Sequence, residues 1–127
     1  MLTLNRLHPA PAAEVGALEA YAHPGDGRHV RVNMVASVDG AAVVDGRVGA
    51  LSGPADFQLL QLMRGLCDVL LVGAGTVRAE GYGAVAAPDE VAELRRDAGQ
   101  LPHPRLAVLS RSLDLDLESR AFVDAPE

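Results

Sequence analysis

Hydrophobic and polar positions divide the chain into segments of different period. From His29 to Val38 the sequence runs HVRVNMVASV, with Val and Met set against His29, Arg31 and Asn33. Period two predicts a strand, and its increasingly apolar end suits entry into a buried sheet. Asp39-Gly40 follows, then the apolar run 41–44, then Asp45-Gly46. An Asp-Gly pair between apolar runs is a hairpin signal, because the turn needs positive φ. The alternative is that the second run leaves the sheet. Gly53-Pro54 places proline at a first helical position, with Asp56 in the first turn. Leu59, Leu60, Met63, Leu66 and Cys67 then recur at helical spacing. DVLLVG, from Asp68 to Gly73, is a continuous apolar run and predicts a central strand buried on both faces. Gly73-Ala74-Gly75-Thr76 ends it, and a short helix from Thr76 stops at Gly81 and Gly83.

Residues 88–98 read as a helix with Val91 and Leu94 inward and Gly99 as its C-cap. LAVLS after Pro104-Arg105 reads as another strand. Leu113, Leu115 and Leu117 alternate with acidic residues, as either a solvent-faced strand or an extended loop. Ala121 to Val123 predicts one more short strand. Residues 1–27 carry Pro9, Pro11, Pro24, Gly25 and Gly27 and read as a peripheral arm, with a short helix within 12–22. The order is strand, strand, helix, strand, helix, strand. It predicts an α/β fold with at least one parallel pair.

Composition narrows the function classes. A chain of 127 residues is one domain or a piece of one. With 49% hydrophobic and 22% charged residues it has the make-up of a soluble globular chain. The net charge is −6 and no basic stripe is visible, which argues against a nucleic-acid partner. All eleven basic residues are arginine. No apolar run approaches the roughly 20 residues of a membrane span, so no membrane partner is expected. The single cysteine, Cys67, excludes an internal disulfide and fits a reducing, cytoplasmic setting. It ends an apolar helix face and reads as a core residue rather than a nucleophile. His8, His23, His29 and His103 are scattered, so no metal site is expected.

Four segments offer chemistry, each with two readings. Gly73, Gly75 and Thr76 end a strand and open a helix. They either present bare N–H groups to a phosphate or make a tight strand–helix turn. The glycines are not a Rossmann fingerprint, which needs a third, nor a Walker loop, which needs Gly-Lys. Ser37 and Asp39 either contact a polar substrate or form a plain Asp-Gly turn. Ser110-Arg111-Ser112 either grips a phosphate or is a solvated loop. Arg64 either reaches a ligand anion or snorkels to solvent.

The order of these motifs is more specific than any one of them. The stretch from Val32 to Gly83, with its Ser-x-Asp-Gly element, Ser-Gly-Pro helix start, Leu-x-Arg helix end and DVLLVGAGTVRAE run, resembles the reductase domain of riboflavin biosynthesis. That family is the RibD C-terminal domain, of dihydrofolate-reductase-like fold. The resemblance implies a three-layer α/β sheet with flanking helices, usually a homodimer, and NADPH as hydride donor. It implies a small-molecule pyrimidine substrate, a 5-amino-6-(5-phosphoribosylamino)uracil-like ribosylamino-pyrimidine phosphate whose ribose is reduced. By the same resemblance, Gly73, Gly75 and Thr76 meet the cofactor pyrophosphate. Glu80 stands where the family has an Asp near the cofactor. Ser110 and Arg111 meet the 2′-phosphate, and Val35 and Ala36 offer backbone to the nicotinamide. Ser37 and Asp39 face the substrate, with Asp39 orienting or protonating it. Arg64 reaches the substrate's phosphate.

The chain also departs from the family pattern. Val48 and Ala50 replace a serine and a tryptophan, and no arginine occurs in Ala84-Val85-Ala86-Ala87. The phosphate grip is thinned, which admits another pyrimidine or a pterin-like substrate. A family domain also runs on to a Glu-Gly-Gly stretch on a later strand. Residues 28–127 therefore read as the N-terminal half of the domain, with its C-terminal part missing. A half sheet exposes an apolar edge, to be paired with a second copy or with the other half. The competing reading is a cofactor-binding or assembly module without turnover.

Overall fold

A computed structural model describes residues 2–23, 25, 27–45 and 49–125. Pro24, Gly46 and Val48 lie outside the described residues. The chain divides into two units, residues 1–63 and 64–127.

The first unit opens with an antiparallel hairpin of β1 (Thr3–Arg6) and β2 (Ala12–Gly16), pairing Leu4 with Val15 and Arg6 with Ala12. α1 (Ala17–Ala20) follows directly. Ala17 N donates to Leu2 O at 2.8 Å, and Val15 and Ala17 are buried. The helix expected within 12–22 is thus confined to four residues, and its first half is strand instead. Pairing with β1 satisfies that backbone more completely than an isolated helical turn would.

The strand expected over His29–Val38 is a second correction. The backbone there joins no ladder among the described residues. Val30, Val32, Met34 and Val38 are 94%, 73%, 82% and 110% exposed. Alternation selects which face a strand buries, but a strand forms only where a neighbour takes its N–H and C=O groups. The Asp39-Gly40 turn does form, with Gly40 at φ +89°, but no paired strands extend from it among the described residues. α2 (Pro54–Leu66) begins at proline as expected, with Asp56 in its first turn.

In the second unit β3 (Val69–Gly73) and β4 (Arg105–Leu109) are parallel neighbours, in register from Val69–Arg105 to Gly73–Leu109. α3 (Ala74–Glu80) packs on both strands and ends at Gly81, in the left-handed region at φ +60°. Here β3 alternates rather than burying both faces: Val69 and Leu71 are 50% and 66% exposed. α3 starts at Ala74, two residues before the expected Thr76. α4 (Asp89–Asp97) turns Val91 and Arg95 into the core, while Leu94, expected inside, is largely exposed. α5 (Arg120–Val123) is helical where a strand was expected, and the acidic alternation before it is loop. No helix among the described residues is long and apolar enough to cross a membrane.

Candidate functional site

Parallel pairing brings two candidate segments to one sheet end. Gly73, the last residue of β3, lies beside Leu109, the last of β4. Ser110 and Arg111 follow at once on one side, and Gly75 and Thr76 on the other, in the first turn of α3. The carboxyl end of parallel strands is where open α/β sheets take ligands. A Cβ built on Gly73 or Gly75 would meet nothing within 4 Å, so the backbone here is open to approach. Ser110 Oγ accepts from Leu113 N at 3.0 Å, which folds 110–113 into a turn with Arg111 exposed. Arg78 of α3 donates to Asp114 O at 3.0 Å and ties that loop to the helix. Glu80 is at the far end of α3, away from Gly73.

The Ser37–Asp39 element belongs to the first unit. Ser37 N donates to Ala41 O at 2.9 Å, Gly40 N to Ser37 O at 2.9 Å, and Ala41 N to Ser37 Oγ at 2.9 Å. The Ser37 hydroxyl also donates to the Asp39 carboxylate. That bond holds the Asp39 carboxyl below its ordinary value, aided by backbone donors. Asp39 is therefore an ionised acceptor at neutral pH. Val35 and Ala36 precede this turn in the unpaired segment, Val35 half-buried and Ala36 exposed.

Arg64 stands in the last turn of α2, before the amino end of β3 and so at the other end of the sheet from Gly73. Its Nη2 donates to the Tyr82 hydroxyl, and its guanidinium lies 5.0 Å from the Tyr82 ring centroid. Its Nε is buried without a partner among the described residues. Cys67 Sγ–H donates to Arg64 O at 3.1 Å, and burial pushes the Cys67 thiol above its ordinary value. Tyr82 and Arg95 are the residues that sequence reasoning missed. The signal for Tyr82 was its position between two glycines in a chain with only two tyrosines. Nothing in local pattern singled out Arg95. No cluster of three His, Cys, Asp or Glu side chains among the described residues could hold a metal ion.

The profile of the RibD C-terminal domain matches residues 28–127. Among solved structures, a pyrimidine reductase-like protein from Corynebacterium diphtheriae is similar over 68% of this chain, at 36% sequence identity and a TM-score of 0.63. The match takes in 35% of that protein, so the chain spans about a third of its length. No curated protein matches the chain. The α/β class, with a parallel pair crossed over by helices, agrees with the dihydrofolate-reductase-like fold that the motifs imply. Motif order, fold class and profile converge on one conclusion: the chain belongs to the RibD C-terminal domain family.

Proposed function

We propose that this chain carries cofactor-binding residues of an NADPH-dependent reductase of the riboflavin-biosynthesis type, acting on a 5-amino-6-(5-phosphoribosylamino)uracil-like substrate. The observation that carries the reading is the Gly73–Leu109 register, which sets the glycine turn and Ser110-Arg111 at one sheet end in a member of this family. The open backbone at Gly73 and Gly75 fits a pyrophosphate without steric cost. α3 is only two turns long, so bare N–H groups and the Thr76 hydroxyl do more here than a helix dipole. The Arg111 guanidinium is exposed and suits a 2′-phosphate, with Ser110 shaping its turn. NADPH, when bound, supplies the hydride. The residues supply alignment: Val35 and Ala36 through backbone at the nicotinamide, Ser37 and Asp39 at the substrate, Arg64 at its phosphate. Glu80 takes the family's acidic sequence position, at the opposite end of α3 from the glycine turn. In this reading Asp39 orients or protonates the substrate. Two copies pair in this reading, in the cytoplasm.

The test is titration of the chain with NADPH and NADH, followed by nucleotide fluorescence. Arg111→Ala is expected to weaken NADPH about tenfold, the loss of one charge-assisted contact, and to leave NADH unchanged. Equal loss for both nucleotides would remove the 2′-phosphate role. A second reading, a binding or assembly module without turnover, is favoured by the unladdered Val30–Val38 segment. Oxidation of NADPH on addition of substrate, as against binding alone, separates the two.

A further inference from the structure

We propose that Tyr82 is a substrate-binding residue, its hydroxyl proton donated together with the Arg64 guanidinium to one phosphate group of the substrate. The inference rests on the reductase reading above and extends it to a residue no motif singles out. Arg64 is partly buried, and among the described residues no carboxylate pairs with it. Its Nε is buried with no acceptor among the described residues, and its guanidinium lies against the Tyr82 ring. A cation taken from water without a counter-charge is costly, and the natural remedy is an anionic ligand.

Tyr82 is delivered to this cation by the left-handed cap at Gly81, where Tyr82 N closes on Val77 O at 3.3 Å. Its ring lies against the guanidinium, and its oxygen accepts from Nη2. That bond uses a lone pair and leaves the hydroxyl proton free. A hydroxyl that accepts from a cation becomes a stronger donor in turn. Tyr82 Oη makes no other hydrogen bond among the described residues. Arg64 Nη1 and Tyr82 O–H thus form two neighbouring donors with no acceptor among the described residues. Residues 84–87 are Ala-Val-Ala-Ala and offer no side-chain donor. Tyr82 fills that deficit with a neutral donor, which makes the grip on phosphate weaker than two guanidinium groups would give.

The experiment is calorimetric titration of the 127-residue chain with ribose 5-phosphate, with ribose as the uncharged control and NADPH titrated in parallel. Ribose 5-phosphate is expected to bind and ribose not to bind. Tyr82→Phe keeps the ring against Arg64 and removes only the hydroxyl. It is expected to weaken ribose 5-phosphate about tenfold, in the range for a hydrogen bond to a charged group, and to leave NADPH binding unchanged. Unchanged affinity in Tyr82→Phe overturns the proposal, as does failure of the unaltered chain to bind ribose 5-phosphate. If Tyr82→Leu weakens binding and Tyr82→Phe does not, Tyr82 only positions Arg64, and the donor role is again overturned. Loss of NADPH binding by the unaltered chain would sink the reductase reading instead, and leaves a Tyr82-dependent phosphate site standing on its own.

Discussion

Arg95 on α4 donates from Nη1 to Gly65 O at 2.6 Å and closes the carboxyl end of α2. The same nitrogen reaches Cys67 O at 2.8 Å, and Nε reaches Leu101 O at 2.8 Å. The last carbonyls of a helix lack intrahelical donors, and a cation there also meets the negative end of the helix dipole. The approach is close because residue 65 is glycine. A Cβ at that position would lie 2.6 Å from Pro88 Cδ and 2.8 Å from Val91 Cγ2.

Arg95→Ala leaves three carbonyls without this donor, one of them buried beside Val91. The expected loss is about 2–4 kcal/mol, read as a lower urea midpoint at unchanged slope. Arg95→Lys is expected to recover less than half, because an ammonium lacks the planar fork that spans Gly65 O and Leu101 O. A variant as stable as the parent would show that the guanidinium's burial cost cancels its hydrogen bonds.

Asp39 makes a pH prediction. Its carboxyl sits below the ordinary value of 3.8, chiefly because the Ser37 hydroxyl donates to it. The turn's stabilisation is therefore complete above that value and is lost as pH falls through the lowered one. Ser37→Ala removes the main donor, and the Asp39 carboxyl titration is expected to move up toward 3.8, followed by carbon NMR. No movement would mean that the backbone donors alone hold the charge.

The Cys67 thiol lies above its ordinary value of 9.0, with burial the main cause. Only the thiolate reacts with disulfides. Reaction of the folded chain with a disulfide reagent at pH 8 is expected to run at least about tenfold slower than in urea. Because the folded value is raised, folding is favoured below the ordinary value and loses that support as pH climbs past it. Equal rates folded and unfolded would place Cys67 in open solvent.

Much of the second unit is legible in the sequence. DVLLVG and LAVLS are short, strongly apolar and bounded by glycine, proline and serine, so strand type and parallel pairing follow. Pro54 marks the start of α2 and Gly81 the end of α3 for reasons of backbone geometry alone. Other elements depend on partners that local pattern does not name. Val30–Met34 alternates like a strand, yet alternation says nothing of what will pair with it. Ala121-Phe122-Val123 is too short to separate period two from period 3.6, and it folded as helix. Hydrophobicity alone points Leu94 inward, whereas the carbonyls at the end of α2 take a donor from Arg95, which is buried instead. At the site, residue types at the strand ends were readable. The Arg64–Tyr82 contact was not, since it joins α2 to the loop that follows α3.

The unpaired run from Val30 to Ala36 has a further consequence. With no ladder to hold them among the described residues, its amide hydrogens are expected to exchange with solvent deuterium sooner than those between β3 and β4, which wait on opening of the sheet. Two lifetimes are thus expected in one chain. Any event that supplies this run with a neighbouring strand would register as a slowing of exchange confined to these few amides.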